Sequence, residues 1–181
     1  MKKLFITLSV IGSSMAFSQV IIGNAIGSAA DKTSVLLEFP EGQNKGIILP
    51  YTRSLPSGPD EGTLLLDASS AALSRIKYYN GSWIDLSGQN ADLTSVLSDQ
   101  PTNAQVSEES NAKVIIGSST TSANGVLVLE SQTKALLLPT ANSTDEIPDP
   151  SPGMMVFITK SGAKRLAFFN GNQWSYWMSD Q

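Results

Sequence analysis

Short apolar runs separated by turn residues form the C-terminal part of this chain. The runs cover residues 154–159, 165–170 and 174–177. A polar segment separates the first two runs, and the pair Asn170-Gly171 begins the connection between the last two. Asn-Gly favours a tight hairpin, because both residues tolerate the positive φ that such a turn needs. The pattern predicts a three-stranded antiparallel meander.

The same order of features occurs earlier in the chain. Residues 59–83 carry a Pro-x-x-Gly turn, an apolar run, a polar turn, an arginine, two aromatics, Asn-Gly and a tryptophan, and residues 150–174 repeat that order. Duplication of one unit explains this agreement. Further apolar segments precede each meander, and they cover residues 20–22, 35–38 and 45–50 in the first copy and 114–116, 126–130 and 134–139 in the second.

These patterns predict an all-β chain with two tandem homologous units of short antiparallel strands. Each unit is expected to hold a hairpin that ends in Leu-Pro, followed by the meander. The predicted divisions are a signal peptide at residues 1–18, β unit 1 at 19–87, a polar linker at 88–113 and β unit 2 at 114–181.

The polar linker has two possible structures. In the linker, Leu93, Val96 and Leu97 have helical spacing and predict a short docking helix, while the alternative is an ordered linker with one transient turn.

Several strands are apolar at consecutive positions, which is typical of strands covered on both faces. A unit of this size is only marginally stable alone, so each unit is expected to pack against the other unit, against another chain or against a larger partner.

The N-terminus predicts export. Lys2 and Lys3 precede an apolar segment, and Ala16 and Ser18 place small residues before a cleavage site ahead of Gln19. The apolar segment is too short to span a bilayer, so no membrane span is predicted. Removing the signal reduces the 12 basic residues to 10 against 16 acidic ones, a net charge of −6. That balance argues against nucleic acid as a partner.

The residue types limit the chemistry. The chain has no Cys and no His, so neither a Ser-His-Asp or Cys-His arrangement nor an ordinary zinc site is available. Loop acids such as Asp31, Asp145 and Asp149 match no calcium-loop motif, and the acids before the two meanders occupy different places. We therefore predict no catalytic residue, no metal and no cofactor.

Paired aromatics are the candidate binding residues. Neighbouring residues of a strand point to opposite faces, so one of each pair is expected on an exposed face if that face is open. Such a ring could stack on a sugar or anchor a protein interface, whereas sheets stacked on both faces would bury them all. Trp177 is the ring for which we expect exposure, and the candidates are Tyr78, Tyr79, Phe168, Phe169, Tyr176 and Trp177.

The repeat resembles a small β unit of exported Bacteroidota envelope and surface proteins and of tail-fibre-like phage proteins. Residues 134–139, 150–153, 168–171 and Trp174 carry the resemblance, and residues 45–50, 59–62, 78–81 and Trp83 repeat it. The resemblance implies a non-enzymatic structural or binding role in the cell envelope. The short tail after the last strand leaves no room for a type IX sorting domain, so the periplasm is the expected location and the cell surface the second.

The function expected from these observations is protein–protein contact as a structural or accessory subunit of a bacterial outer-membrane or envelope assembly. One concrete form would dock on, or close, a secretion channel from the periplasm. Partners would be an envelope protein or further copies of the chain, as a homo-oligomer. The alternative is a surface adhesin or carbohydrate-binding module that takes a glycan on exposed aromatics.

Overall fold

The fold was established from a computed structural model that describes residues 19–177, apart from residues 24–26, 28, 103, 108, 110 and 111. The predicted signal peptide, residues 1–18, lies outside the described residues. The described part is nearly all β, with one short helix, which confirms the predicted all-β class.

Strands occur in the same order in the two halves of the chain. The first half holds β1 (Val20–Ile21), β2 (Val35–Glu38), β3 (Ile47–Ile48), β4 (Tyr51–Thr52), β5 (Leu64–Asp67), β6 (Arg75–Tyr79) and β7 (Trp83–Asp85). The second holds β8 (Val114–Ile116), β9 (Leu127–Leu129), β10 (Ala135–Leu137), β11 (Thr140–Ala141), β12 (Met154–Ile158), β13 (Arg165–Phe169) and β14 (Trp174–Trp177). Helix α1 (Thr94–Leu97) lies between the halves, and two 3₁₀ turns cover Ala71–Leu73 and Thr144–Glu146.

Both predicted meanders form, and they do so in matching register. Strands β5, β6 and β7 are antiparallel neighbours, as are β12, β13 and β14. In each half a short parallel strand joins the first meander strand, β4 on β5 and β11 on β12. The matched pairs are Tyr51–Leu66 with Thr140–Phe157, Leu64–Tyr78 with Met155–Phe168, and Tyr79–Trp83 with Phe169–Trp174.

The predicted hairpin of β2 and β3 is wrong. Strand β2 lies between β1 and β10 and is parallel to both, while β3 pairs antiparallel with β12 of the other half. The connection after β2 turns the chain away, because it contains Pro40 and because Gly42 and Asn44 are left-handed, with φ of 71° and 50°. Each half therefore gives one strand to a sheet of the other.

A glycine explains why β3 pairs with β12 whereas its counterpart β10 pairs with β2. A Cβ added at Gly46 would lie 2.7 Å from the carbonyl oxygen of Met155 and would also collide with the Met154 side chain. Only glycine lets the β3 backbone approach β12 this closely. Ala135, the first residue of β10, occupies the matching place in the second half, and β10 pairs with β2 instead.

The main core lies between the two meanders. Leu66 and Ile76 of the first meander share one buried cluster with Met155 and Phe168 of the second. A second cluster covers the opposite face of the second meander, where Ala141 and Ile147 pack against Met154, Val156, Ile158 and Ala167. Strand β12 is thus covered on both faces, as its unbroken apolar sequence predicts.

The linker helix forms and docks. Leu93 and Leu97 are buried in the main cluster, and Val96 points outward with 37% of its surface exposed. The Asp92 carboxylate accepts from the Thr94 N–H at 2.9 Å at the helix start. At its end, the Arg53 guanidinium donates to the Leu97 carbonyl. These contacts favour the docking-helix interpretation over a transient turn.

Candidate interaction surface

Most of the candidate aromatics belong to the core or lie beside it. Phe168 is 1% exposed in the main cluster, so it is not available to a ligand. Phe169 is half-buried on the opposite face and contacts Trp174, with ring centroids 5.3 Å apart. Of the two alternatives for this pair, the structure fits the one with both faces covered, because apolar clusters lie on both faces of the second meander.

The first-half pair repeats this arrangement with smaller burial. Tyr78 and Tyr79 are both half-buried. The Tyr79 ring meets Trp83 edge-on with centroids 5.3 Å apart, at the place where Phe169 meets Trp174 in the second half. These two ring pairs are equivalent in the repeat and stabilise the meander ends.

Tyr176 and Trp177, on the last strand, are the exposed candidates. Tyr176 is 41% exposed, the Arg165 guanidinium lies 3.7 Å from its ring centroid, and its hydroxyl is 2.9 Å from the Thr144 hydroxyl. Trp177 is 55% exposed, which confirms its expected exposure. In the repeat it corresponds to Leu86, which packs against the main cluster. Because the two neighbours point to opposite faces, they do not form one flat platform.

Another apolar surface, which the sequence patterns above do not predict, lies on strands β8 and β9. The exposed fractions here are 58% for Val114, 66% for Val126 and 48% for Leu127. Strands β8 and β9 form a two-stranded parallel sheet. Parallel sheets normally have both faces covered, and two strands alone are marginal in water. The signal that could have identified this surface is the unbroken apolar run at residues 126–129.

The equivalent strands of the first half show what β9 lacks. All four residues of β2, including Glu38, are buried. There β10 lies on the edge of β2 that β1 leaves open. Within the described residues no strand lies on the corresponding edge of β9. The open edge and the exposed apolar residues together define what we call the β8–β9 surface.

Two ion pairs lie on the first meander, one of which joins Lys77 Nζ to Asp67 Oδ2 at 2.7 Å. The other joins Arg75 to Asp85. Burial raises the pKa of Asp67, but hydrogen bonds from Lys77 and Ser69 outweigh it and hold this pKa below its ordinary value of 3.8. The pKa of Asp85 is lowered in the same way: burial raises it, but hydrogen bonds from Ser87 and Arg75 outweigh burial and hold it below 3.8.

These lowered pKa values predict acid sensitivity. The unfolded chain takes up these protons at higher pH than the folded chain, so their stabilisation is full above about pH 5 and declines as pH falls through the folded pKa values. At fixed protein concentration, we expect the urea concentration at the unfolding midpoint to decrease when the pH is lowered below about 4. The double variant Asp67→Asn/Asp85→Asn should show a shallower fall, and an equally steep one would contradict this origin.

Two further features were sought in the described residues, a cluster of metal ligands and a membrane-spanning helix. Within them, no group of three or more acidic side chains is placed to hold a metal ion. No helix in that part of the chain has the length and apolar character needed to cross a membrane.

Comparison with known proteins adds one finding. Residues 115–180 match the family described as "Phage tail like trimerisation region". No curated protein and no solved structure matches the chain. The matched residues include the whole of β9 through β14, and with them the open edge of β9 and the exposed Trp177. The predicted resemblance to tail-fibre-like repeats is thereby supported, and over residues 115–180 the chain is similar to a phage tail-like trimerisation region, which indicates a structural role through contact between copies.

Proposed function

We propose that this chain is an exported, non-catalytic structural protein that works as a homotrimer. The match of residues 115–180 to a trimerisation region supports three copies, and the β8–β9 surface is the observation that carries the proposal. A chain that leaves a parallel two-stranded sheet open exposes apolar area that another chain can bury. Burial of this kind is the main favourable term in association.

The trimer is proposed to serve an envelope assembly. The signal-like N-terminus and the resemblance to exported Bacteroidota proteins support a periplasmic or outer-membrane-associated location, with the cell surface second. In the most concrete form, a trimer docks on an outer-membrane secretion channel and closes it from the periplasm. The alternative, a carbohydrate-binding module, would use the exposed Trp177 ring and stays a hypothesis.

The test has two arms on the full-length chain expressed with its own signal. Native mass spectrometry of the purified mature protein is expected to give three times the chain mass, with a sedimentation coefficient that does not change above micromolar concentration. A monomer throughout that range would overturn the proposed trimer. The second arm is affinity recovery from detergent-solubilised outer membranes, and absence of any outer-membrane protein would overturn the envelope assignment while leaving the trimer intact.

A further inference from the structure

The β8–β9 surface has an internal precedent that identifies its occupant. Strand β2 and strand β9 occupy the same place in the repeat, and each pairs in parallel with the strand before it. The second edge of β2 is taken by β10, also in parallel. Within the described residues, the second edge of β9 has no strand. The chain therefore shows once, in its own first half, how this edge is closed.

The backbone groups on the open edge can be assigned. The Val114 N–H donates to the Val126 carbonyl, and the Glu130 N–H donates to the Ile116 carbonyl, both at 2.9 Å. Alternate residues of a parallel strand direct their backbone groups to opposite sides. The backbone groups of Leu127 and Leu129 therefore point away from β8. Such a row of free donors and acceptors is a template for another strand.

Strand β10 has an edge to offer in return. It lies at the end of the β1-β2-β10 sheet, so that one of its edges is bound to β2 and, among the described residues, the other carries no strand. Ala135 at its start is exposed, and the two leucines that follow are half-buried. Both β9 and β10 fall within residues 115–180, the part of the chain that matches the trimerisation region.

Resting on the proposed trimer, we propose that β9 of one copy pairs in parallel with the open edge of β10 of the next copy. The contact joins two different edges and is therefore heterologous. A heterologous contact gives a closed ring when its rotation closes, which for three copies is a rotation of one third of a turn, and the proposed trimer requires that case. It also creates one continuous parallel sheet across each boundary, in the order β1, β2 and β10 of one copy, then β9 and β8 of its neighbour. The occupant of the β8–β9 surface is thus a second copy of this chain.

The register follows from the direction of the backbone groups. The Ala135 N–H donates to the Ser34 carbonyl at 2.8 Å, so it faces β2 and not the free edge of β10. In a parallel pair, a residue whose backbone groups point to the partner strand lies beside a residue whose groups point away from it, so Ala135 of one copy is expected beside Leu127 of its neighbour. The addition would satisfy the outward backbone groups of β9 and cover Leu127, which is 48% exposed.

Cysteine cross-linking tests the contact directly, since the chain has no Cys of its own. Differently tagged chains carrying Leu127→Cys and Ala135→Cys are co-expressed, purified as assemblies and treated with a short bis-maleimide linker. A covalent product that contains both tags is expected, and neither variant alone should give dimers. The matched control pairs Leu127→Cys with Leu73→Cys, a residue outside both strands with 57% exposure.

A second variant tests the edge without a cross-linker. Leu127→Pro removes one outward N–H and leaves the bonds to β8 in place, as proline does at an edge position. Association measured by sedimentation is expected to weaken about tenfold or more per contact, with unchanged far-UV circular dichroism. Leu127→Val keeps the N–H and should associate like the wild type.

The outcomes separate this inference from the proposed function. A wild-type trimer whose mixed-tag product appears only with the Leu127→Cys and Ala135→Cys pair supports the contact. A trimer without that product, or one in which Leu127→Cys cross-links to itself, overturns the contact and leaves the trimer standing. A wild-type monomer overturns both. Should Leu127→Pro fail to fold, the cysteine pair still decides.

Discussion

Replacing Phe168 with alanine is expected to lower the free energy of unfolding by about 3–5 kcal/mol. The ring is 1% exposed and lies in the main cluster, where it packs in the same core as Leu66 and Ile76 of the other half. Truncation removes the transfer free energy of the ring and leaves a cavity between two sheets that are held apart by their other side chains. Urea unfolding followed by tryptophan fluorescence measures the loss.

The repeat provides the matched control for this variant. Tyr78 occupies the equivalent place in the first meander but is only half-buried, so Tyr78→Ala should cost about 1–2 kcal/mol. Equal losses for the two variants would contradict the packing of one meander on the other. A binding role for Phe168 would instead leave stability unchanged and abolish ligand retention.

Sequence patterns were sufficient for the meanders because the information is local. Each run is followed by its own turn residues, and neighbouring strands of a meander pair with one another. The pairing of β2 with β10 and of β3 with β12 was not predictable in this way, because each partner comes from the other half of the chain. The difference between Gly46 and Ala135 became meaningful only once the approach of β3 to β12 was known.

Local sequence patterns also do not show which faces of a sheet are covered by other elements. Alternation places Phe168 and Phe169 on opposite faces, but it does not say which faces another element covers. The structure covers both, with the first meander on one side and Ala141 and Ile147 on the other. For β9 the unbroken apolar run also predicts two covered faces, and the chain leaves Leu127 nearly half exposed. For β9 the prediction of two covered faces is therefore not met within one chain, and in the proposed trimer a neighbouring copy would supply the missing cover.

Asn170→Ala is expected to lower the free energy of unfolding by about 2–4 kcal/mol, the second largest effect we predict. The sequence marks Asn170 as a turn residue that tolerates positive φ, but only the glycine after it is left-handed, at 110°. The asparagine acts through its side chain, which is fully buried. Its Oδ1 accepts from the N–H groups of Asn172 and Gln173, each at 3.0 Å. Its Nδ2 donates to the Gln89 carbonyl at 3.0 Å.

Alanine at this position leaves two backbone donors and one acceptor without their partner. Asn172 and Gln173 are exposed, so water replaces part of the lost bonding, and the loss stays well below the sum for three buried groups, each of which would cost about 1–3 kcal/mol. It also cuts a bond between the last hairpin and the linker, 81 residues apart in sequence. Asn80 is the control, since it precedes the matching glycine of the first half and its side chain is exposed. Asn80→Ala should change stability by less than about 0.5 kcal/mol. If both variants cost the same in urea unfolding, the effect belongs to turn propensity, and the bond to Gln89 does not fasten the linker to the second half.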